Sequence, residues 1–202
     1  MSAAPPARLE RLALFAYGSL VNAESAAATL GRVPEPIPAS LRGWRRSFTL
    51  ARDNRRSEKT FAHVVDGSLP DWILSLNVER AAPAAEGPNG ALIGVSEAEL
   101  VRLDLREVRY ERHEVTAEVA APGAQRFDRI VTYVARSERF CARPPAGAVI
   151  LRSYVDAVER AFAGLGRGEL DAYRRTTQAP PVEIVEGELV RDAIPAGNPR
   201  AW

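Results

Sequence analysis

The stretch Leu12-Ala13-Leu14-Phe15-Ala16-Tyr17-Gly18-Ser19-Leu20 decides how the rest of the chain is read. An uninterrupted apolar run stops at Gly18-Ser19. A run this short, bounded by a turn pair, predicts a buried strand. Beyond it Asn22 can cap a helix, residues 23–30 are rich in alanine, and Gly31 suits the position just past a helix end. A buried strand therefore passes through a Gly-Ser turn into a helix. Glycine permits a turn in which successive backbone N–H groups point at one spot. Beside a helix N-terminus, such groups hold a carboxylate or a carbonyl oxygen that gains negative charge. The plainer alternative is that Tyr17 is core and Gly18-Ser19 only turns the chain.

On one side of this stretch, residues 1–10 read as a flexible polar lead-in. On the other, Pro34, Pro36 and Pro38 argue against regular structure. Residues 41–51 read as one long strand, 61–65 and 72–78 as two more, and 91–95 as another, with a polar turn at 53–58 and a loop at 81–90. Ser96-Glu97-Ala98-Glu99 fits a capping box and predicts a helix to about Glu107. Residues 110–119 and 127–135 alternate as strands do. Pro144-Pro145 breaks the chain. Residues 147–162 form the longest helix candidate, with Val149, Ile150, Tyr154, Val158, Ala161 and Phe162 approximating one stripe. A short helix at 169–176, a strand at 182–190 and an irregular tail at 195–202 complete the chain. Seven to nine strands and three or four helices without βαβ alternation indicate an α+β fold with a mixed or barrel-like sheet, in one domain over residues 11–194.

Composition excludes several classes of function. The chain has 202 residues, 46% hydrophobic and 26% charged, as an ordinary globular domain does. Lys+Arg number 27 against 26 Asp+Glu, for a net charge of +1. Bulk charge therefore does not favour nucleic acid. Cys141 is the only cysteine, which excludes an intramolecular disulfide and a cysteine-based zinc site. His63 and His113 are far apart, so no metal is expected. No apolar run is long enough for a membrane span, and the start lacks the pattern of a secretory signal. With the free thiol this points to the cytoplasm. Lys59 is the only lysine and lies in a polar stretch where nothing would desolvate it, which argues against Schiff-base chemistry.

A second chemical candidate is Glu107. It lies seven residues after Leu100 on the predicted helix, only about 20° away around the axis, with Leu103 about 40° away. That places a carboxylate on the core-facing stripe, where burial raises a glutamate pKa toward the range useful to a general base. Alternatively Glu107 lies past the helix end and points to solvent, or pairs with Arg106 or Arg109. Tyr110 and Tyr133 sit on strands and either line a pocket or fill the core. Arg42, Arg45, Arg46, Arg52, Arg55 and Arg56 read as a solvated strand face and turn, able to attract an anion. Ser19 has no histidine in local reach and no nucleophile elbow, so a serine hydrolase is poorly supported. Cys141 reads as an incidental thiol.

The Phe-Ala-Tyr-Gly-Ser-Leu segment, Gly94-Val95-Ser96, the helix ending Leu103-Asp104-Leu105-Arg106-Glu107, and Tyr110 opening the next strand together resemble the gamma-glutamylcyclotransferase superfamily. The resemblance extends along most of residues 12–160. It implies a small closed or nearly closed mixed β-barrel flanked by helices and a small-molecule γ-glutamyl substrate, with no metal or organic cofactor needed. It also implies that Tyr17, Gly18, Ser19 and Leu20 hold the γ-glutamyl group, that Glu107 is the acid/base, and that Tyr110 and Tyr133 lie in the pocket. Many members carry a Pro-x-x-Tyr element before the long C-terminal helix. Here Pro144-Pro145 is followed by no tyrosine until Tyr154, so one wall of the pocket departs from that pattern. The expected activity is cyclisation of a γ-glutamyl amide or peptide to 5-oxoproline with release of the amine. The alternatives are removal of a γ-glutamyl group from a biosynthetic intermediate, and a non-catalytic γ-glutamyl-binding module. Neither the amine nor the oligomeric state is legible in the sequence.

Overall fold

The computed structural model describes residues 10–82, 86–195 and 198. Most of the predicted lead-in, part of the 81–90 loop and most of the predicted tail lie outside the described residues. Strand β1 (Leu12–Ala16) is buried at every position and has a neighbour on both edges. It pairs antiparallel with β6 (Asn89–Val95), Leu12 opposite Val95, and parallel with β9 (Arg129–Ala135), Leu12 opposite Arg129. The six-stranded sheet runs β7 (Tyr110–Glu114), β9, β1, β6, β2 (Ile37–Leu41), β8 (Val119–Ala120). A four-stranded sheet runs β11 (Ile184–Val185), β10 (Ala148–Leu151), β5 (Trp72–Arg80), β3 (Trp44–Asp53). Strand β12 (Gly187–Asp192) pairs antiparallel with β4 (Lys59–His63). The strands curl as a half-barrel around one main core, and four α-helices pack on it: α1 (Ala23–Leu30), α2 (Glu97–Arg106), α3 (Arg152–Leu165) and α4 (Glu169–Thr176). No helix among the described residues is long and apolar enough to cross a membrane.

Five expectations are corrected. Pro38 lies inside β2. The Leu41 N–H reaches Pro88 on the β6 side, so by alternation position 38 faces the other edge, where β8 reaches only Ser40 and Leu41. Its missing N–H therefore costs no ladder bond. The predicted strand 41–51 is two strands of different sheets, divided at Gly43, whose φ of 76° lets the chain turn the corner. The predicted strand 110–119 ends at Glu114, and 182–190 divides into β11 and β12, so the described residues form twelve strands. Residues 148–151 are a strand rather than the first turn of the long helix: Ala148 and Val149 pair with Trp72 and Ile73, and Ile150 and Leu151 pair with Ile184 and Val185. A short apolar run does not distinguish strand from helix by period alone.

The two helices that begin and end at the predicted caps position the site. Asn22 Oδ1 accepts from the Ser25 N–H, and Gly31 closes α1 with φ 76°. The capping box at α2 is complete: Ser96 Oγ accepts from Glu99 N–H, and Glu99 Oε2 accepts from Ser96 N–H at 2.7 Å. Arg32 adds a bond to Glu99 at 2.7 Å. Burial works to raise the Glu99 pKa, but the bonds from Arg32 and Ser96 outweigh it, and the carboxyl sits below its usual value of 4.5. Since the folded value is depressed, the stabilisation is fully present above pH 4.5 and is lost as the pH falls through the folded value. Ser96→Ala should lower the unfolding free energy by about 1 kcal/mol at pH 7. The deficit of Glu99→Gln, read by urea denaturation, should shrink as the pH falls from 6 to 3; a constant deficit would contradict the ionised-cap account.

Candidate active site

A pairing irregularity opens the site. The β3–β5 ladder shifts register between Ser47 and Leu50, which sets Phe48 and Thr49 against the single Leu76, and β10 pairs with β5 only as far as Ile73. Two tyrosines approach the Leu76 peptide groups. Tyr110 Oη donates to the Leu76 carbonyl at 2.8 Å, and the Leu76 N–H donates to Tyr154 Oη at 3.2 Å. Tyr110 opens β7, and Tyr154 lies in the first turn of α3. Between these tyrosines, the β1 turn and the end of α2 lies a small cavity of about 40 Å³. Beside it is a larger one of about 270 Å³, and Ser19, Glu107, Tyr110 and Tyr154 line both.

The residues predicted from sequence converge here. Tyr17, Gly18, Ser19, Leu20, Glu107, Tyr110 and Tyr133 all line the small cavity. Ser19–Val21 is a single 3-10 turn: Val21 N–H donates to the Gly18 carbonyl at 3.0 Å and Asn22 N–H to Ser19 at 3.2 Å. The first amides of a helical turn have no acceptor within it. Gly18 is not in the left-handed region (φ −141°). Space does not demand a glycine there either: a Cβ would stand in ordinary van der Waals contact, 3.5 Å from Tyr154 Oη and 3.7 Å from Leu76.

Glu107 follows the last residue of α2 as its C-cap, and its N–H still donates to Leu103 at 2.8 Å. Leu100 and Leu103 are fully buried, while the Glu107 side chain keeps 16% exposure at the cavity. The two alternatives read from sequence are thus both partly met: Glu107 lies just past the helix, and it shares the core-facing side. Its Oε1 accepts from Arg106 Nε at 3.1 Å. Arg106 is itself buried, donating to the Ser25 carbonyl at 2.6 Å and to Thr29 Oγ1 at 3.0 Å, so α1 fixes the cation that fixes the carboxylate.

The tyrosines are hydrogen-bond groups, not bases. Tyr17 Oη donates to the Tyr133 carbonyl at 2.6 Å, and burial, then Tyr154 and Glu107, push its phenol well above the usual range. Burial does the same to Tyr110, reinforced by Tyr17, and to Tyr154. Tyr133 Oη donates to Asp104 at 2.8 Å, and burial followed by that bond raises its phenol. All four stay neutral near pH 7. Among the described residues no group of three or more His, Cys, Asp or Glu is placed to hold a metal ion.

Three site features escaped the sequence reading. Tyr154 looked like part of a core stripe because the preceding strand read as helix. Lys59 is not in an open polar stretch: its side chain is 19% exposed, lines the larger cavity and faces Asp192 at 3.6 Å. Arg46 is fully buried rather than on a solvated face. Its guanidinium donates to the carbonyls of Tyr17 (3.2 Å), Asn89 (2.6 Å) and Tyr173 (3.2 Å), to Asn89 Oδ1, and to Thr176 and Thr177. It also lies 4.4 Å from the Tyr173 ring centroid. Burial lowers its pKa to about 10, which leaves it a cation at neutral pH.

This arrangement of strands, turn and helices recurs in solved structures. A gamma-glutamyl cyclotransferase aligns with TM-score 0.58 at 16% identity, over 85% of this chain and 89% of its own. The chain has the gamma-glutamyl cyclotransferase fold. YkqA from Bacillus subtilis aligns with TM-score 0.55 at 18% identity, over 85% of this chain and 56% of YkqA, so the chain spans little more than half of that protein. A gamma-glutamyl cyclotransferase specific to glutathione from yeast aligns with TM-score 0.53 at 13% identity, over 84% and 98%. No protein-family model and no curated protein matches the sequence. On this gamma-glutamyl cyclotransferase fold, the buried hydrogen bonds around the turn carry a measurable share of stability. Arg46→Met takes the donors away from three backbone carbonyls and should lower the unfolding free energy by about 3 kcal/mol or more. Tyr110→Phe removes one donor from Leu76 and should cost about 1–2 kcal/mol. Both are read by urea denaturation, and an unchanged midpoint in either would remove the corresponding bond from the account.

Proposed function

We propose that this chain is a gamma-glutamylcyclotransferase-like enzyme that converts a γ-glutamyl amide or peptide to 5-oxoproline and a free amine. The observation that carries the proposal is that Glu107 and the Tyr17–Leu20 turn, nearly ninety positions apart in sequence, line one cavity. Support also comes from the fold, shared with solved gamma-glutamyl cyclotransferases.

The chemistry assigns each group a task. The nucleophile is the substrate's own α-amine, so the protein folds the substrate rather than attacking it. An ammonium cannot attack, and Glu107 takes its proton. The nitrogen then bonds to the γ-carbonyl carbon, closing a five-membered ring with an oxyanion. The amides of the Gly18–Leu20 turn face that oxyanion. Collapse breaks the bond to the leaving nitrogen as Glu107 returns the first proton to it. The freed carboxylate takes the second proton from the ring nitrogen and passes it to the released amine, which leaves as an ammonium. The neutral phenols of Tyr17, Tyr110, Tyr133 and Tyr154 shape the cavity, which leaves the carboxylate as the group that cycles a proton. Arg106, bonded to Glu107, holds the carboxylate toward the cavity.

Glu107→Gln keeps an oxygen acceptor for Arg106 and removes the base. It should reduce 5-oxoproline release, followed by mass spectrometry over a γ-glutamyl panel, by roughly 10²–10⁴-fold with the melting temperature little changed. Retention of most activity would remove Glu107 as the base. Calorimetric binding of γ-glutamyl amides with no turnover by the unaltered protein would identify a binding module instead.

A further inference from the structure

The N–H groups assigned to the oxyanion, those of Gly18, Ser19 and Leu20, belong to three successive peptide units, and the carbonyl of each unit has its own anchor. The 3-10 turn holds two of them itself: Val21 N–H donates to the Gly18 carbonyl at 3.0 Å, and Asn22 N–H to the Ser19 carbonyl at 3.2 Å. The first unit lies before the turn. Its carbonyl, that of Tyr17, accepts from Arg46 Nη1 at 3.2 Å. A trans peptide points its C=O and its N–H in opposite directions, so the partner of the carbonyl decides where the N–H is aimed. Arg46 lines neither cavity, whereas Gly18 lines the small one. Glycine at 18 offers no side-chain resistance to the flipped peptide, in which the carbonyl would take the place of the N–H.

Arg46 is fixed without help from the turn. Its other bonds go to the Asn89 carbonyl at 2.6 Å, Asn89 Oδ1 at 2.9 Å, the Tyr173 carbonyl and Thr176 Oγ1 at 3.2 Å each, and Thr177 Oγ1 at 2.8 Å. Its guanidinium carbon lies 4.4 Å from the Tyr173 ring centroid and 5.0 Å from that of Phe162. A planar fork held on so many sides presents Nη1 to Tyr17 in one direction. We infer that Arg46 is a positioning residue for the cyclisation: it clamps the Tyr17–Gly18 peptide so that the Gly18 N–H is turned to the developing oxyanion. The inference rests on the reading of Glu107 and the turn given above. A cation on the carbonyl also polarises the peptide and strengthens its N–H as a donor. The oxyanion exists only beyond the bound ground state, so the clamp acts on kcat rather than on KM.

The test measures kcat and KM for 5-oxoproline release from the γ-glutamyl amide that the unaltered protein uses best, at a temperature where circular dichroism shows each variant folded. Arg46→Met should lower kcat by roughly 10–10²-fold and change KM by less than about threefold. Arg46→Lys keeps the charge on a single point donor and should recover part of the loss. Thr177→Val removes a bond on the α4 side of the guanidinium and leaves the Tyr17 contact in place. It should lower the Tm while kcat stays within about twofold. A folded Arg46→Met variant with kcat within about twofold of the unaltered protein overturns the inference. So does a Thr177→Val variant that loses as much kcat as Arg46→Lys, because a merely structural network would behave that way. Should Arg46→Met not fold, the comparison of Arg46→Lys with Thr177→Val decides: kcat falls severalfold in the first and not in the second, and equal values overturn the clamp. If the unaltered protein releases 5-oxoproline from no γ-glutamyl amide, the functional reading fails, and the clamp is judged by nuclear magnetic resonance. The Gly18 amide nitrogen should move upfield in Arg46→Lys and hold its position in Thr177→Val; equal shifts in the two overturn it.

Discussion

The site depends on one break in strand pairing. Strand β10 pairs with β5 only as far as Ile73, and at Leu76 the hydroxyls of Tyr110 and Tyr154 take the carbonyl and the N–H. A buried peptide group must find a partner. Had a strand supplied one, the space between β5 and β1 would be closed. Because two side chains supply it from β7 and α3, the sheet ends in a cavity ringed by phenols. Irregularities of this kind concentrate next to functional sites, where they re-aim side chains. The cavity thus follows from how one strand satisfies its own backbone.

Arg46 carries that constraint to the β1 turn and to the C-terminal part of the chain. A buried cation without a carboxylate partner is costly unless its donors are satisfied. Here the acceptors come from the Tyr17 carbonyl, from Asn89 on β6, and from the end of α4. The Tyr17–Gly18 turn and α4 are therefore held by the same planar group. Asn89 extends the network by donating to Glu169 at the start of α4. This gives α4 a place in the architecture of the site although none of its residues lines either cavity.

Where local chemistry decides structure, the sequence was readable. The caps at Asn22, Gly31 and Ser96 fix helix ends within a few residues, and α1, α2 and α4 lie where their caps and composition put them. The apolar run before Gly18 is a buried strand for the reason its pattern suggests. Where partners distant in sequence decide, it was not. Residues 148–151 become a strand only because β5 and β11 flank them, and misreading them hid the place of Tyr154. Pro38 is tolerated in β2 only because β8 stops short of it. Arg46 and Arg45 are neighbours of one type, yet one is buried and the other exposed; strand alternation separates them, but only the arrival of Asn89 and Tyr173 explains why the inward one is a cation.

Glu107 itself stands where a helix would not choose a carboxylate. It caps the C-terminal, partially negative end of α2, a position that favours cations. Arg106 offsets this by placing a buried guanidinium against the carboxylate, and it is held by the Ser25 carbonyl and Thr29 of α1. The adjacent Arg102 reaches the Leu30 carbonyl at the end of the same helix. Two arginines of α2 thus grip α1 from opposite ends, while Asp104 of α2 takes the Tyr133 hydroxyl from β9. At Glu107 local helix preference and the wider structure thus disagree, and Arg106, held by α1, offsets the difference. The helix pair is organised around the carboxylate's position, and the cavity formed at Leu76 is where that carboxylate meets the turn.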